Sequence, residues 1–119
     1  MGSMSTFRSY KAEAAVEGFR IIKHGSADAT TIKATAATDK LLGTADGLDK
    51  AVGEFVDLND SAVGEVRLGG TVARGDALTA DANGKAVVTT TVGNRIIGFA
   101  DASGVVDDVI PYLRALGVY

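Results

Sequence analysis

The sequence predicts an all-β protein, a small glycine-rich β-sandwich or barrel-like domain with an extended N-terminal arm. Three observations carry that expectation. Short apolar or alternating runs recur along the chain, each bounded by Gly, Asn, Asp or Ser. Fifteen glycines against one proline in 119 residues supply turns without interrupting strands. No segment sustains the i, i+3, i+4, i+7 apolar spacing of a long amphipathic helix. Many short strands with glycine-rich turns then give a sandwich or a barrel, two outcomes that pattern alone does not separate.

Taken in order, Met1-Gly2-Ser3-Met4 reads as a cloning remnant before a natural start at Met4. Ser5–Val16 has two isolated aromatics, Phe7 and Tyr10, and no clean period, so residues 1–17 are expected to be that remnant plus a flexible arm. A short helix over Lys11–Val16 is the alternative on propensity. Residues 18–119 then form a single β domain. Gly18–Lys23 and Thr30–Thr35 read as a hairpin, and Leu41-Leu42 as a short strand inside a loop-rich Thr38–Lys50. Gly53–Leu58 and Ala62–Leu68 alternate cleanly around the turn Asn59-Asp60-Ser61. Gly69, Gly70, Gly75 and Asp76 mark turns around the short runs Thr71-Val72 and Ala77–Thr79. Asn83-Gly84 is the strongest hairpin signal, with Lys85–Val92 returning. Asn94–Ala100 and Val105–Gly117 close the series, with Val109 and Leu113 facing opposite to Ile110 and Tyr112. Pro111 lacks a ladder donor, which places the last strand at an edge or a bulge.

Composition excludes several function classes. A chain of this size buries a modest core, so association with other subunits is an open source of stability. Hydrophobic residues make up 46% and aromatics only 6%, which disfavours a pocket lined by large rings. The absence of cysteine removes disulfides, thiolate metal sites and a thiol nucleophile, and suits a reducing cytoplasm. A formal charge of -3 gives no electrostatic footprint for nucleic acid. No window approaches the ~20 apolar residues of a membrane span and no secretory leader is visible, so the protein reads as soluble.

Candidate chemistry is sparse. His24 is the only imidazole and sits beside a glycine turn, with no Ser-Asp arrangement around it. Asp101, Asp107 and Asp108, or Asp57 and Asp60, could pair as acids or hold calcium, but no D-x-D-x-D-G loop with a distal Glu is present. Gly64–Gly75 lacks both phosphate-loop signatures. Thr89-Thr90-Thr91 suits a strand or a flat polar face offered to a neighbour. No catalytic, cofactor or metal residue is therefore expected.

Two resemblances add to this reading. Val66–Leu78 (VRLGGTVARGDAL) looks like the Gly-Asp segment of lipoyl and biotinyl carrier domains, and Asp49-Lys50-Ala51 resembles their modified-lysine hairpin, which would make Lys50 the attachment site. A broader resemblance runs through EVRLGGTV (Glu65–Val72), Arg74–Thr79, DANGKA (Asp81–Ala86), RIIGFAD (Arg95–Asp101) and Val105–Gly117. This series is similar to the capsid cement or head decoration proteins of tailed bacteriophages and covers about Gly53–Tyr119, with further similarity at Gly18–Thr35. It implies a non-enzymatic structural protein, commonly a homotrimer, that binds the major capsid protein on the outer surface of the assembled, expanded head and stabilises it. It also implies a virion location after production in the bacterial host cytoplasm. On that reading Phe7, Arg8 and Tyr10 of the arm are the expected capsid contacts, by strand addition with the aromatics as anchors. A generic β interaction module with another partner is the alternative.

Overall fold

The computed structural model describes residues 7–119, with Phe7 placed by its backbone; the Met1–Met4 remnant lies outside the described residues. Ten strands and no helix occur among them: β1 Phe7–Ala12, β2 Ile21–His24, β3 Thr30–Lys33, β4 Leu41–Ala45, β5 Phe55–Asn59, β6 Val63–Arg67, β7 Ala77–Ala80, β8 Ala86–Val88, β9 Arg95–Ala100 and β10 Val109–Val118. The all-β expectation holds. The first five strands form a closed barrel in the order β1-β3-β2-β4-β5, and the second five a sheet in the order β6-β10-β9-β7-β8.

The second set repeats the first. β1 pairs antiparallel with β5 and parallel with β3; β6 pairs antiparallel with β10, and a parallel bridge from Leu68 to Ala86 ties it to β8. β2 lies between β3 and β4, as β7 lies between β8 and β9. Corresponding strands are about 55 residues apart in the chain. Punctuation repeats as well. Antiparallel bridges join Val16 to Lys50 in one half and Val72 to Gly104 in the other.

Turns of one kind lead into β5, β7 and β10. Each is closed by a carboxylate that accepts the N–H three residues earlier: Glu54 from Ala51 at 2.6 Å, Asp76 from Ala73 at 2.9 Å, Asp108 from Val105 at 2.9 Å. The residue before the carboxylate has positive φ, 86° at Gly53, 94° at Gly75 and 71° at Asp107. Gly and Asp tolerate that region where a branched residue does not. The Asn83-Gly84 signal is also met. Gly84 has φ 71°, its N–H donates to Asp81 O at 3.3 Å, and Asp81 N–H donates to Lys85 O at 2.9 Å, joining β7 to β8.

Three expectations change. Residues 7–12 are extended but are not a free arm: β1 is a stave of the first barrel, with Ala12 and Val16 buried in its core. Its partners β3 and β5 lie far along the chain, so nothing local announces the pairing. The Lys11–Val16 helix is absent for the same reason. Pro111 sits in an interior strand, between β6 and β9. Its oxygen accepts Asp101 N–H at 3.0 Å, just past the end of β9, so the donor it lacks falls at the end of that ladder and not within it.

Two cores result. Ala12, Val16, Ile22, Leu42, Ala45, Val56 and Leu58 fill the first barrel, with Tyr10 packed against them. The second contains Val66, Leu68, Leu78, Ile97, Ile110 and Tyr112, and it takes in Ile21, Ala34 and Leu41 from the first half. The halves therefore share one interior. Backbone bonds reinforce the joint: Ile21 N–H to Gly84 O at 2.7 Å, Arg67 N–H to Phe19 O at 3.0 Å and Arg95 N–H to Ala37 O at 2.8 Å.

Two outcomes follow for stability. Deleting residues 5–16 removes a barrel stave, so far-UV circular dichroism and amide dispersion should show loss of the fold rather than a trimmed native protein. Gly98 has φ 150°, and a Cβ there would run into Leu113 O, so Gly98→Ala should cost on the order of 1–3 kcal/mol or more in denaturant unfolding. Gly70→Ala, with only Val87 at 3.8 Å, should be near neutral by comparison.

Candidate functional site

Surfaces, rather than an enclosed pocket, are what this fold offers. A broad concavity is the open groove of about 860 Å³ at the end of the first barrel, lined by Tyr10, Lys23, His24, Asp28, Asp39 and Lys40 among others. Its walls come from the C-terminal end of β2, the β2–β3 turn and the segment entering β4. β3 pairs with β1 only at Lys11 and Ala12, so the Phe7–Tyr10 half of β1 has, among the described residues, one unpaired edge on this side.

Carboxylates hold the rim in place. Glu13 accepts Ser26 Oγ at 2.6 Å and Ser26 N–H at 2.9 Å, pinning the turn that follows β2. The Ser26 hydroxyl and N–H keep the Glu13 carboxyl below the usual range. Asp39 accepts the N–H groups of Thr35 at 2.9 Å and Ala36 at 3.0 Å and faces Lys23 Nζ at 3.3 Å. Burial pushes the Asp39 carboxyl up, but the Thr35 N–H and the Lys23 ammonium outweigh it and hold it below its ordinary value. On the other side of the molecule Lys85 Nζ lies 2.7 Å from Asp107 Oδ1 and lowers that carboxyl in the same way.

The expected contact residues differ in exposure along the strand. Arg8 is exposed opposite Leu58, while Tyr10 turns inward onto the first core and is half-buried. Tyr10 therefore contributes to the groove wall and not to a free aromatic anchor, and Phe7 is fixed by pairing with Asn59. Lys50 lies in the connection between β4 and β5, where its backbone makes both bonds of the bridge to Val16, at 2.8 and 2.9 Å. β4 and β5 are themselves paired, so Lys50 sits midway along the long loop that joins them, and not in a tight hairpin turn. His24 is exposed at the groove, and no group of three or more metal-ligating side chains occurs among the described residues. Of the expected turn residues, Gly75, Asp76, Asn83 and Gly84 close turns as described. A Cβ on Gly69 would strike the Asp81 carboxylate and Lys85 Cβ, while Gly70 has ordinary space.

An apolar row on the second sheet is the other surface, and the sequence reading had not singled it out. Val63, Leu113 and Phe99 are register partners across β6, β10 and β9, and they are 47%, 45% and 40% exposed. Ala77 continues the row on β7 opposite Phe99. The outward positions of a solvated antiparallel sheet ordinarily read polar. Here they are among the larger exposed apolar side chains of the protein.

No family model and no curated protein matches the chain. Among solved structures it is similar to the head fiber gp8.5 N base in bacteriophage phi29, with a TM-score of 0.70, 19% sequence identity and 92% of each chain covered. At that identity the likeness shows a shared fold along nearly the whole chain.

Two measurements check the site's electrostatics and the lysine. Asp39 and Glu13 sit below their ordinary values of 3.8 and 4.5, so the stability they lend is fully present above those values. It is lost as pH falls through the lower folded-state values, and the melting temperature should drop below about pH 4. Asp39→Asn should lower the melting temperature at neutral pH and flatten that acid limb. Coexpression with a lipoyl or biotinyl ligase should leave the intact mass unchanged, because Lys50 lies in a long loop bridged to Val16 and not in a tight, exposed hairpin turn.

Proposed function

We propose that this protein is a non-enzymatic structural component of a tailed-phage head, a decoration protein that binds the outer surface of the assembled, expanded shell and stabilises it. The observation that carries this reading is the likeness, over 92% of both chains, to a protein described as the base of a phage head fiber. The motif series from EVRLGGTV to RIIGFAD supports the same class independently of the fold.

The physical demands of such a role match what the residues provide. A shell ligand needs a rigid body, a surface that reads the lattice, and no chemistry. Long-range pairing supplies rigidity, since β1 pairs with β5 and β6 with β10 across the length of each half, and the open groove and the apolar row supply surfaces. A protein that binds the expanded shell and not its precursor stabilises the expanded state by mass action, and many copies multiply the effect. Its partners on this reading are the major capsid protein and further copies of itself in a homotrimer. It is made in the host cytoplasm and ends on the virion exterior. Arg8 and the unpaired β1 edge are the capsid-contact candidates that remain available on the folded chain, with the backbone of Phe7 as part of that edge.

The test is cosedimentation of purified protein with expanded, undecorated phage heads, using unexpanded procapsids as control and a heat challenge as readout. Saturable binding to expanded heads with raised thermal survival is expected, and Arg8→Glu should weaken it while leaving the melting temperature unchanged. No binding to any expanded head tried would turn the reading toward a β interaction module with another partner.

A further inference from the structure

The internal repeat identifies two unoccupied faces that correspond to the two faces already joined inside the molecule. In the first half, the register row Ile21–Thr44–Asn59–Phe7 crosses β2, β4, β5 and β1. In the second half its counterpart is Ala77–Phe99–Leu113–Val63, across β7, β9, β10 and β6. The second half sits on the first row and covers Ile21 and Thr44 completely, at 0% exposure. Among the described residues, none covers the Phe99–Leu113–Val63 part of the second row.

The covering surface of the second half is equally well defined. Beside Tyr112, whose hydroxyl meets Thr44 Oγ1 at 3.1 Å, it comprises the β7–β8 turn, where Asn83 O and Gly84 O accept from Arg20 and Ile21, and Arg95 at the start of β9, which donates to Ala37. The same positions in the first half are the β2–β3 turn at Ala27 and Asp28, and Lys40 before β4. These residues line the open groove. One end of the molecule thus carries an unused copy of the covering face, and the other an unused copy of the covered face.

Composition agrees with this pairing. Where β5 presents Asp57 and Asn59 outward, β10 presents Pro111 and Leu113 at the corresponding positions, exchanging polar for apolar groups on the open row. Glu65, exposed and opposite Pro111, lies beside the row, while Lys40 stands exposed at the groove, where Lys23 is already paired with Asp39. The geometry points to head-to-tail self-association, in which the groove end of one copy seats on the Phe99–Leu113–Val63 row of the next. Such a heterologous contact closes into a ring when its rotation permits. This inference rests on the repeat and does not depend on the phage-head reading.

Sedimentation velocity with two complementary variants tests it. Phe99→Asp with Leu113→Asp disables the row, and Ala27→Glu with Lys40→Glu disables the groove. All four side chains are exposed, and circular dichroism with a thermal melt confirms folding; Leu113→Ser replaces the first variant if it fails to melt cooperatively. Wild-type protein should form a discrete oligomer and each variant should be monomeric. An equimolar mixture of the two should give a heterodimer, because each supplies the face the other lacks. A monomeric wild type, a variant of wild-type mass, or a mixture that stays monomeric would each overturn the proposal.

Discussion

Ile21, Ala34 and Leu41 belong by sequence to the first barrel and by packing to the second core, and the rest of the molecule depends on that loan. Burying an aliphatic side chain contributes roughly 1.5–3 kcal/mol, so these residues together outweigh what a single hydrogen bond could give the joint. β4 is consequently buried on both faces, with Leu42 and Ala45 turned to the first core and Leu41 and Thr44 to the second half. Thr44 Oγ1 meets the Tyr112 hydroxyl at 3.1 Å, which satisfies two polar groups that would otherwise be costly to enclose. Burial raises the Tyr112 pKa, so the phenol stays neutral there.

The second half is not a complete hydrophobic unit once this loan is recognised, whereas the first core is filled from its own half. The second sheet is tied across its ends by one parallel bridge, and three residues from outside it complete its interior. A small domain with few aromatics reaches a packed state in this way, the first repeat lending side chains to finish the core of the second. The same arrangement makes the body stiff: its pairings span distant parts of the chain, and the loops at the groove are fastened by Glu13 and Asp39. Stiff surfaces bind with less ordering cost than mobile ones, which suits a protein whose proposed work is recognition of a lattice.

Where one face of a strand meets water, the sequence announces it. β5 and β6 alternate buried and exposed residues, and the Asn83-Gly84 hairpin follows from local turn chemistry. β4 lacks any alternation because both its faces are covered, and Gly43 within it, at φ 135° against Leu58, resembles a loop residue until the close approach is visible. β1 was hidden because Arg8 and Ser9 give no apolar period while its partners lie some 20 to 50 residues onward. The repeat itself survives in sequence only at LLGTAD (Leu41–Asp46) and IIGFAD (Ile96–Asp101), where both glycines have positive φ. Elsewhere each half faces a different environment, one covered and one open, and its residues have diverged accordingly. The groove and the row were illegible for a related reason: each is assembled from segments that only the topology brings together.

Native-state hydrogen exchange would test the shared interior most directly. Amides of Ile22 and Val56 report the first barrel, and those of Leu78 and Ile97 the second. The account predicts one common opening free energy for both sets, and a matching drop of about 2–5 kcal/mol in both when Leu41 is replaced by Ala. Retention of full protection at Leu78 and Ile97 while the first barrel loses its own would contradict it, because the second core would then stand without the residues it takes from the first half.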